Sequence, residues 1–397
     1  MERVRMPSSE THASYIPFYF RSFLSSKIEH VPPTVPIEDA SIQNPELNLF
    51  QQHVDCLSQD LLSAKDDEFL SIAWLQKLLT GFRSCQEEFR VILTNNQAQF
   101  SKPPTDRLVV DLFDRSIKAL DICNAARDGI EQLRQRQKHL EIVISALDPK
   151  QRMIGEGQFR RATKALMDLS LLTLEEKDSG SVFSSRNRSF GRNLKSKDSC
   201  HRQSGHSRSL SWSVSHSWSA TKQLQSITNN LIPPRTQDIT ATNGLAILVY
   251  TMNFVLLFVL WALVAAIPCQ DRSLNVHFAF PRQNSHFYPW TNSLHSLYDR
   301  IIGESKNQRN SNGLLHEICQ VEKYVNHITD LVDSAQFPMK DERKEEIRAG
   351  VKELIPLANV FKKELGPLER QLREVFCTIM SCRVEGLELL GKSSEPQ

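Results

Sequence analysis

The sequence predicts an all-α protein: an elongated bundle of long amphipathic helices with a disordered basic Ser-rich linker and one very apolar helix. Three observations carry this. Apolar residues recur at three- and four-residue steps, with almost no sustained two-residue alternation. Glycine is scarce, at 14 of 397 residues, which disfavours glycine-rich nucleotide folds and many-turned β-sandwiches. A run of 23 residues, Leu245–Ile267, carries no charged side chain.

Residues 1–45 are polar and proline-bearing and read as a flexible N-terminal tail, apart from the aromatic patch Tyr15-Ile16-Pro17-Phe18-Tyr19-Phe20. Residues 46–177 form the N-terminal helical half of the bundle. Leu47, Phe50, Val54, Leu57 and Leu61 mark a first helix, and Phe69, Ala73, Leu75, Leu79, Phe82, Phe89 and Leu93 a second. Pro103-Pro104 stops the chain, and Thr105 is placed to cap a new start. From Asp106 to Leu147 a stripe runs through Leu108, Leu112, Leu120, Cys123, Ile130, Leu133, Leu140 and Ile144. At ~1.5 Å per residue this helix reaches about 60 Å, too long to stand without partners. Its outer face is read as charged, with Arg127, Asp128, Glu131, Arg134, Arg136 and Lys138. Asp148-Pro149 ends it, and Gly155-Glu156-Gly157 opens another helix through Phe159, Ala162, Leu166 and Leu169.

Residues 178–243 hold sixteen serines and nine Lys and Arg against three acids, and read as a disordered linker. Ser189 follows Arg186 and Arg188, and Ser211 follows Arg208, which makes both serines candidate phosphorylation sites for basophilic kinases. A phosphate there would add ~−1.5 to −2 charge beside those arginines. Trp212 and Trp218 are unusual in a coil and are candidates for docking the linker on a surface. Interleaved basic and aromatic residues also suit RNA, although RGG and RNP patterns are missing.

Residues 244–268 form the apolar helix, with Leu245, Trp261 and Ile267 marking a candidate membrane span. The positive-inside rule, applied to Lys222 and Arg235, would send residues 268–397 across the membrane. That half would then carry unpaired Cys269, Cys319, Cys377 and Cys382 and no N-x-[ST] acceptor. The other reading is a core helix, apolar all round because neighbours cover every face. Residues 269–289 form a loop, 290–391 the C-terminal helical half and 392–397 a tail. Leu315, Ile318, Val321, Val325, Ile328 and Leu331 mark one stripe. Leu368, Leu372, Val375, Phe376, Ile379 and Met380 mark another, with Pro367 opening that helix and Pro356 dividing the one before it.

With 48 Lys and Arg against 46 Asp and Glu, the net charge is only +2, which argues against a dedicated nucleic-acid-coating protein. The eight cysteines include no CxxC pair and read as free thiols in a reducing compartment. The N-terminus has no uninterrupted apolar stretch of the secretory type. No catalytic constellation survives its context. Gly386-Leu387-Glu388-Leu389-Leu390-Gly391-Lys392-Ser393 matches a P-loop, but it follows a helix instead of a strand. Cys200-His201 and His206 lack a second cysteine for a metal site, and Glu87-Glu88 reads as a solvated helix face. No enzyme activity, cofactor or metal is expected.

The motifs SKPPTDRL (101–108), DRSIKALDICNAARDGIEQLRQ (114–135), GEGQFRRATKAL (155–166), RSLSWSVSHSWSATKQL (208–224) and WALVAAIPCQDR (261–272) resemble plant proteins of the BYPASS-related, ROH-type family. The resemblance runs from about residue 46 to 390, leaving the N-terminal tail outside it. It implies a non-enzymatic protein associated with the exocyst, the complex that tethers secretory vesicles, with an exocyst subunit of the Exo-seventy type as partner. It also implies a membrane association through the apolar run. The BYPASS branch implies a second reading, a developmental regulator affecting root-to-shoot small-molecule signalling. The resemblance supplies no catalytic or binding residues to carry over.

Overall fold

Asn44 starts the first helix, α1 (Pro45–Leu62). Its side chain accepts from the Leu47 N–H at 3.2 Å, and Pro45 takes the first position, where no N–H is needed. The chain is a computed structural model that describes residues 44–148, 155–178, 219–229, 231–269, 274, 276–281, 286–308, 311–335 and 339–392. Ser71 caps α2 (Ile72–Asn95), and the short α3 (Gln97–Phe100) leads to α4 (Thr105–Ala146). Then follow α5 (Glu156–Asp178), α6 (Ala220–Thr228), α7 (Thr236–Ala241), α8 (Leu245–Ala266), α9 (Thr291–Asn307), α10 (His316–Asp333) and α11 (Asp341–Lys392). Among the described residues there is no strand, so the all-α expectation holds.

The apolar α8 is the centre. All of its 22 residues are buried. Helices α1, α2, α4, α6 and α7 pack against it, and an aromatic layer closes it further: Trp261 lies 4.8 Å from Tyr298 and 5.4 Å from Phe278, ring to ring. Its end is sealed by backbone, since the Leu314 and Leu315 N–H groups donate to the carbonyls of Ala265 and Ala266 at 3.0 and 3.1 Å. Both halves of the chain therefore share one core. The long helices α4 and α11 lie side by side, and α11 also packs on α2 and α10.

Four expectations need correction. Residues 219–229 and 231–243 do not belong to a disordered linker: Ala220, Leu224, Ile227, Leu231 and Ile239 are buried, because α6 and α7 cover α8. Pro356 and Pro367 do not delimit helices, since α11 is continuous over 52 residues. Each interior proline costs about 3 kcal/mol. The buried series Leu354, Ala358, Phe361, Leu365, Leu368 and Leu372 crosses both positions and holds the helix together by packing. Thr105 does not cap α4. Its N–H already bonds to the Lys102 carbonyl at 3.0 Å, so the helix begins with it and Pro104 takes the cap position. Met380 is not in the core: the buried steps run 368, 372, 375, 379, 382, which leaves Met380 on the flank and 44% exposed.

A polar junction ties α2 to α10. The Glu317 carboxylate, buried, accepts from the Ile72 N–H at 3.1 and 3.2 Å, and the His316 N–H donates to the Leu70 carbonyl at 2.9 Å. Leu70 is thereby held at φ 55, in the left-handed region that costs a leucine about 1–2 kcal/mol. Arg300 of α9 clamps the same loop. It donates to the Leu62 and Ala64 carbonyls at 2.9 and 2.8 Å, pairs with Asp66 at 2.8 Å and covers the Phe69 ring at 3.9 Å.

Burial pushes the Glu317 carboxyl above its ordinary range, and the N–H groups of Glu317 and Ile72 oppose this more weakly. The folded chain therefore holds this proton more tightly than the unfolded chain. Its contribution to stability is present in acid and fades as pH rises through the folded-state value. Glu317→Gln keeps an acceptor for Ile72 and removes the titration. Denaturant unfolding of both proteins between about pH 5 and 8 should show the wild-type advantage shrinking as pH rises. A difference that is flat in pH would remove the titration from Glu317. A second prediction concerns Gly129 of α4, where a Cβ would sit 2.1 Å from the Pro268 carbonyl oxygen. Gly129→Ala should destabilise by about 1–3 kcal/mol. Gly157→Ala, with nothing within 4 Å, should be neutral or stabilising as helix propensity dictates.

Candidate interaction surface

Thr251, Asn253 and Tyr250 of the apolar helix are each met by a partner from another part of the chain, whereas the buried Trp261 Nε1 meets none among the described residues. Gln51 of α1 donates to Thr251 Oγ1 at 2.9 Å, and Gln51 Oε1 accepts from Trp290 Nε1 at 2.6 Å. Arg115 of α4 donates to Asn253 Oδ1 at 3.3 Å, and Tyr250 OH to the Ala279 carbonyl at 3.4 Å. Leu245, Trp261 and Ile267, the markers of a span, all lie inside the core. Length and composition alone still qualify this helix to cross a membrane.

Ser189 and Ser211, the candidate modification sites, lie outside the described residues, as do Trp212, Trp218, Cys200, His201 and His206. The tail with its aromatic patch does so too. The P-loop match lies on α11 as far as Lys392. Gly386 is there for close packing, because a Cβ would meet the Phe113 ring at 2.1 Å. Glu87 and Glu88 are not simply solvated: Glu87 pairs with Arg90 at 2.6 Å and Glu88 takes His53 at 2.6 Å, with only 11% of its side chain exposed.

Among the described residues, the buried titratable groups are shifted toward their neutral forms by their surroundings. Burial pushes the thiols of Cys123 and Cys382 up to about 12, and that of Cys85 higher still, so none supplies a thiolate. Burial also raises the Tyr250 and Tyr288 hydroxyls. Among the described residues, no group of three or more His, Cys, Asp and Glu could hold a metal ion. A recess of about 390 Å³ is a shallow surface feature over Leu57, Gln76, Gly81 and Gln371 with the exposed pair Asp60–Lys77 at its edge.

What the geometry does build is a long, ion-paired outer face. At ~1.5 Å per residue, α4 and α11 extend about 63 and 78 Å. They are stitched by Arg134 with Glu369 and by Lys362 with Glu141 at 3.0 Å. Helix α11 is joined to α2 by Arg83 with Glu374 and by Arg90 with Glu385 at 2.9 Å. Hydrogen bonds that Arg90 donates to the Glu87 and Glu385 carboxylates hold its guanidinium above its usual range. Arg127, Asp128, Glu131 and Lys138 face outward as expected, whereas Arg136 does not. It is buried and lies 4.0 Å from Glu322 of α10, because position 136 falls between the core positions 133 and 140. Sequence reasoning missed Arg300 and the exposed apolar flank of α11. The first has no periodic signal, and the second was hidden by counting Met380 into the stripe.

Residues 10–390 match the family described as "Protein ROH1-like". The match begins at residue 10, so most of the tail, expected to stand outside the resemblance, falls within it. The chain is 50% identical to "Protein ROH1D" of Arabidopsis thaliana over 98% of its length and 99% of that protein's. It is 36% identical to "Protein ROH1A" of the same organism, over 88% of its length and 92% of that protein's. No solved structure gives a significant match. A family match across nearly the whole chain, together with full-length relatives at this identity, means that the chain belongs to the ROH1-like family.

Proposed function

We propose that the protein is a non-enzymatic helical adaptor that binds an exocyst subunit of the Exo-seventy type and modulates secretion. The observation that supports this best is the long outer face of α4 and α11, which offers charged side chains along its length. A face of this kind suits side-by-side docking of another helical protein, with charge setting the register and apolar anchors supplying affinity. The titratable groups described above suit packing and ion pairing better than catalysis. In this reading α8 stays within the bundle, and any membrane association comes through the partner or through residues other than α8. Phosphorylation of Ser189 or Ser211 would then change the charge of the basic, serine-rich segment by ~−1.5 to −2 per site.

Binding should require the folded helices. A pull-down with the purified exocyst subunit compares the full chain, a deletion of residues 180–218 and a peptide of residues 179–218. The first two should capture the subunit and the peptide should not. Capture by the peptide as strong as by the full chain would refute docking through the helices, and no capture by any of the three would refute the exocyst partner. In membrane pellets, alkaline carbonate should release the protein. Retention after the wash would make α8 a span.

A further inference from the structure

Five of the exposed large apolar side chains fall on one flank of the bundle. Val110 and Ile117 of α4 are 40% and 47% exposed, and Met380, Val384 and Leu387 of α11 are 44%, 49% and 36% exposed. The register of the two helices brings them together. They run antiparallel, with Gly386 against the Phe113 ring, Arg383 Nε donating to the Phe113 carbonyl at 3.2 Å and Arg134 paired with Glu369. Residues 110 and 117 are one heptad apart and sit next to Phe113 on the solvent side. Residues 380, 384 and 387 follow the i, i+4, i+7 rule on the solvent side of α11. The two series therefore border one shallow groove between α4 and α11 at the end of the bundle where α3 lies.

The exposed borders of this groove carry acidic side chains, while Arg383, half-buried between Met380 and Leu387, is turned in and donates to the Phe113 carbonyl. Asp114 and Asp121 follow on the spacing of Val110 and Ile117, Glu388 follows Val384 by four residues, and all three are exposed. Arg107 and Arg373 stand beyond its two ends. An apolar strip with negative borders is a poor match for an anionic lipid surface, which selects basic borders. A third helix fits the groove between two antiparallel helices by ridge-and-groove packing. We infer that the α4–α11 groove is a docking site for a basic amphipathic helix of a protein partner, with Val110, Ile117, Met380, Val384 and Leu387 taking its apolar face and Asp114, Asp121 and Glu388 its lysines or arginines. This deepens the adaptor reading and rests on it for the existence of a partner.

The probes are two labelled peptides of about three heptads, one of leucine and lysine and one of leucine and glutamate in the same amphipathic pattern. Fluorescence anisotropy with the full chain should show binding of the lysine peptide and little of the glutamate peptide. Ile117→Ser with Met380→Ser should weaken it about tenfold or more, and these exposed substitutions should leave the unfolding curve unchanged. Asp114→Lys, Asp121→Lys and Glu388→Lys together should reverse the preference between the peptides. Equal binding of both peptides, or binding unaltered by the serine substitutions, overturns the groove. So does sedimentation showing a dimer of the full chain that the serine substitutions dissociate, because a second copy then covers the flank. The exocyst subunit separates this proposal from the one it rests on. If the subunit binds the serine variant as well as the wild type, the groove is wrong and the adaptor stands. If the subunit binds neither while the lysine peptide discriminates, the groove stands and the exocyst partner is wrong.

Discussion

The whole bundle is arranged around the requirement that α8 be covered on every side. A helix of 22 buried residues has no solvent face, and burying each large aliphatic side chain contributes about 1.5–3 kcal/mol. Two neighbours cannot enclose such a helix. It takes α1, α2, α4, α6 and α7 together with the aromatic layer of Phe278, Tyr298 and Trp290, drawn from both sides of α8 in sequence. The same requirement explains why polar atoms on α8 have such specific partners. Thr251 is bonded by Gln51 and Asn253 by Arg115, since an unmet hydroxyl or amide there would cost about 1–3 kcal/mol.

Around this centre the long helices are held by two kinds of contact with different roles. The close approaches, Gly129 to Pro268 and Gly386 to Phe113, fix how near α4 comes to its neighbours and leave no tolerance for a methyl group. The ion pairs between α4 and α11 and between α2 and α11 are mostly on partly exposed side chains, where each contributes about 0–1 kcal/mol. They select the register more than they stabilise it. The apolar flank is placed by that register, because sliding α11 by one turn would shift Met380, Val384 and Leu387 by about 5.4 Å along α4.

The fold class, the shared core and most helix positions were legible from the sequence because they rest on period. Leu47, Phe50, Val54 and Leu61 repeat with the helix, and packing agrees with the repeat. The misreadings came where local composition and tertiary environment conflict. The stretch from Ser219 to Asn243 is polar on average, yet a few aliphatics at helical spacing suffice once α8 offers a surface. Pro356 and Pro367 are breakers locally, and the packing of α11 overrides them. At the surface the signal is weaker still. A charged residue such as Arg136 turns inward when a glutamate waits on another helix, and an apolar residue such as Met380 turns outward when it stands one step beyond the core position. Neither event leaves a trace in one chain's periodicity.

Helix α11 completes the walls around α2 and α4, and it comes after all the other described helices in the chain. During synthesis at roughly 5–20 residues per second, the ~125 residues after α8 take about 6–25 s to follow it out. For that interval the most apolar segment of the chain exists without the aromatic cover that Phe278, Trp290 and Tyr298 supply. Gln51 and Arg115 have already been made by then, so polar neighbours for Thr251 and Asn253 are at hand before α11 exists. The order of the helices along the chain thus leaves α8 waiting for the rest of its cover, and translation speed after residue 266 sets how long.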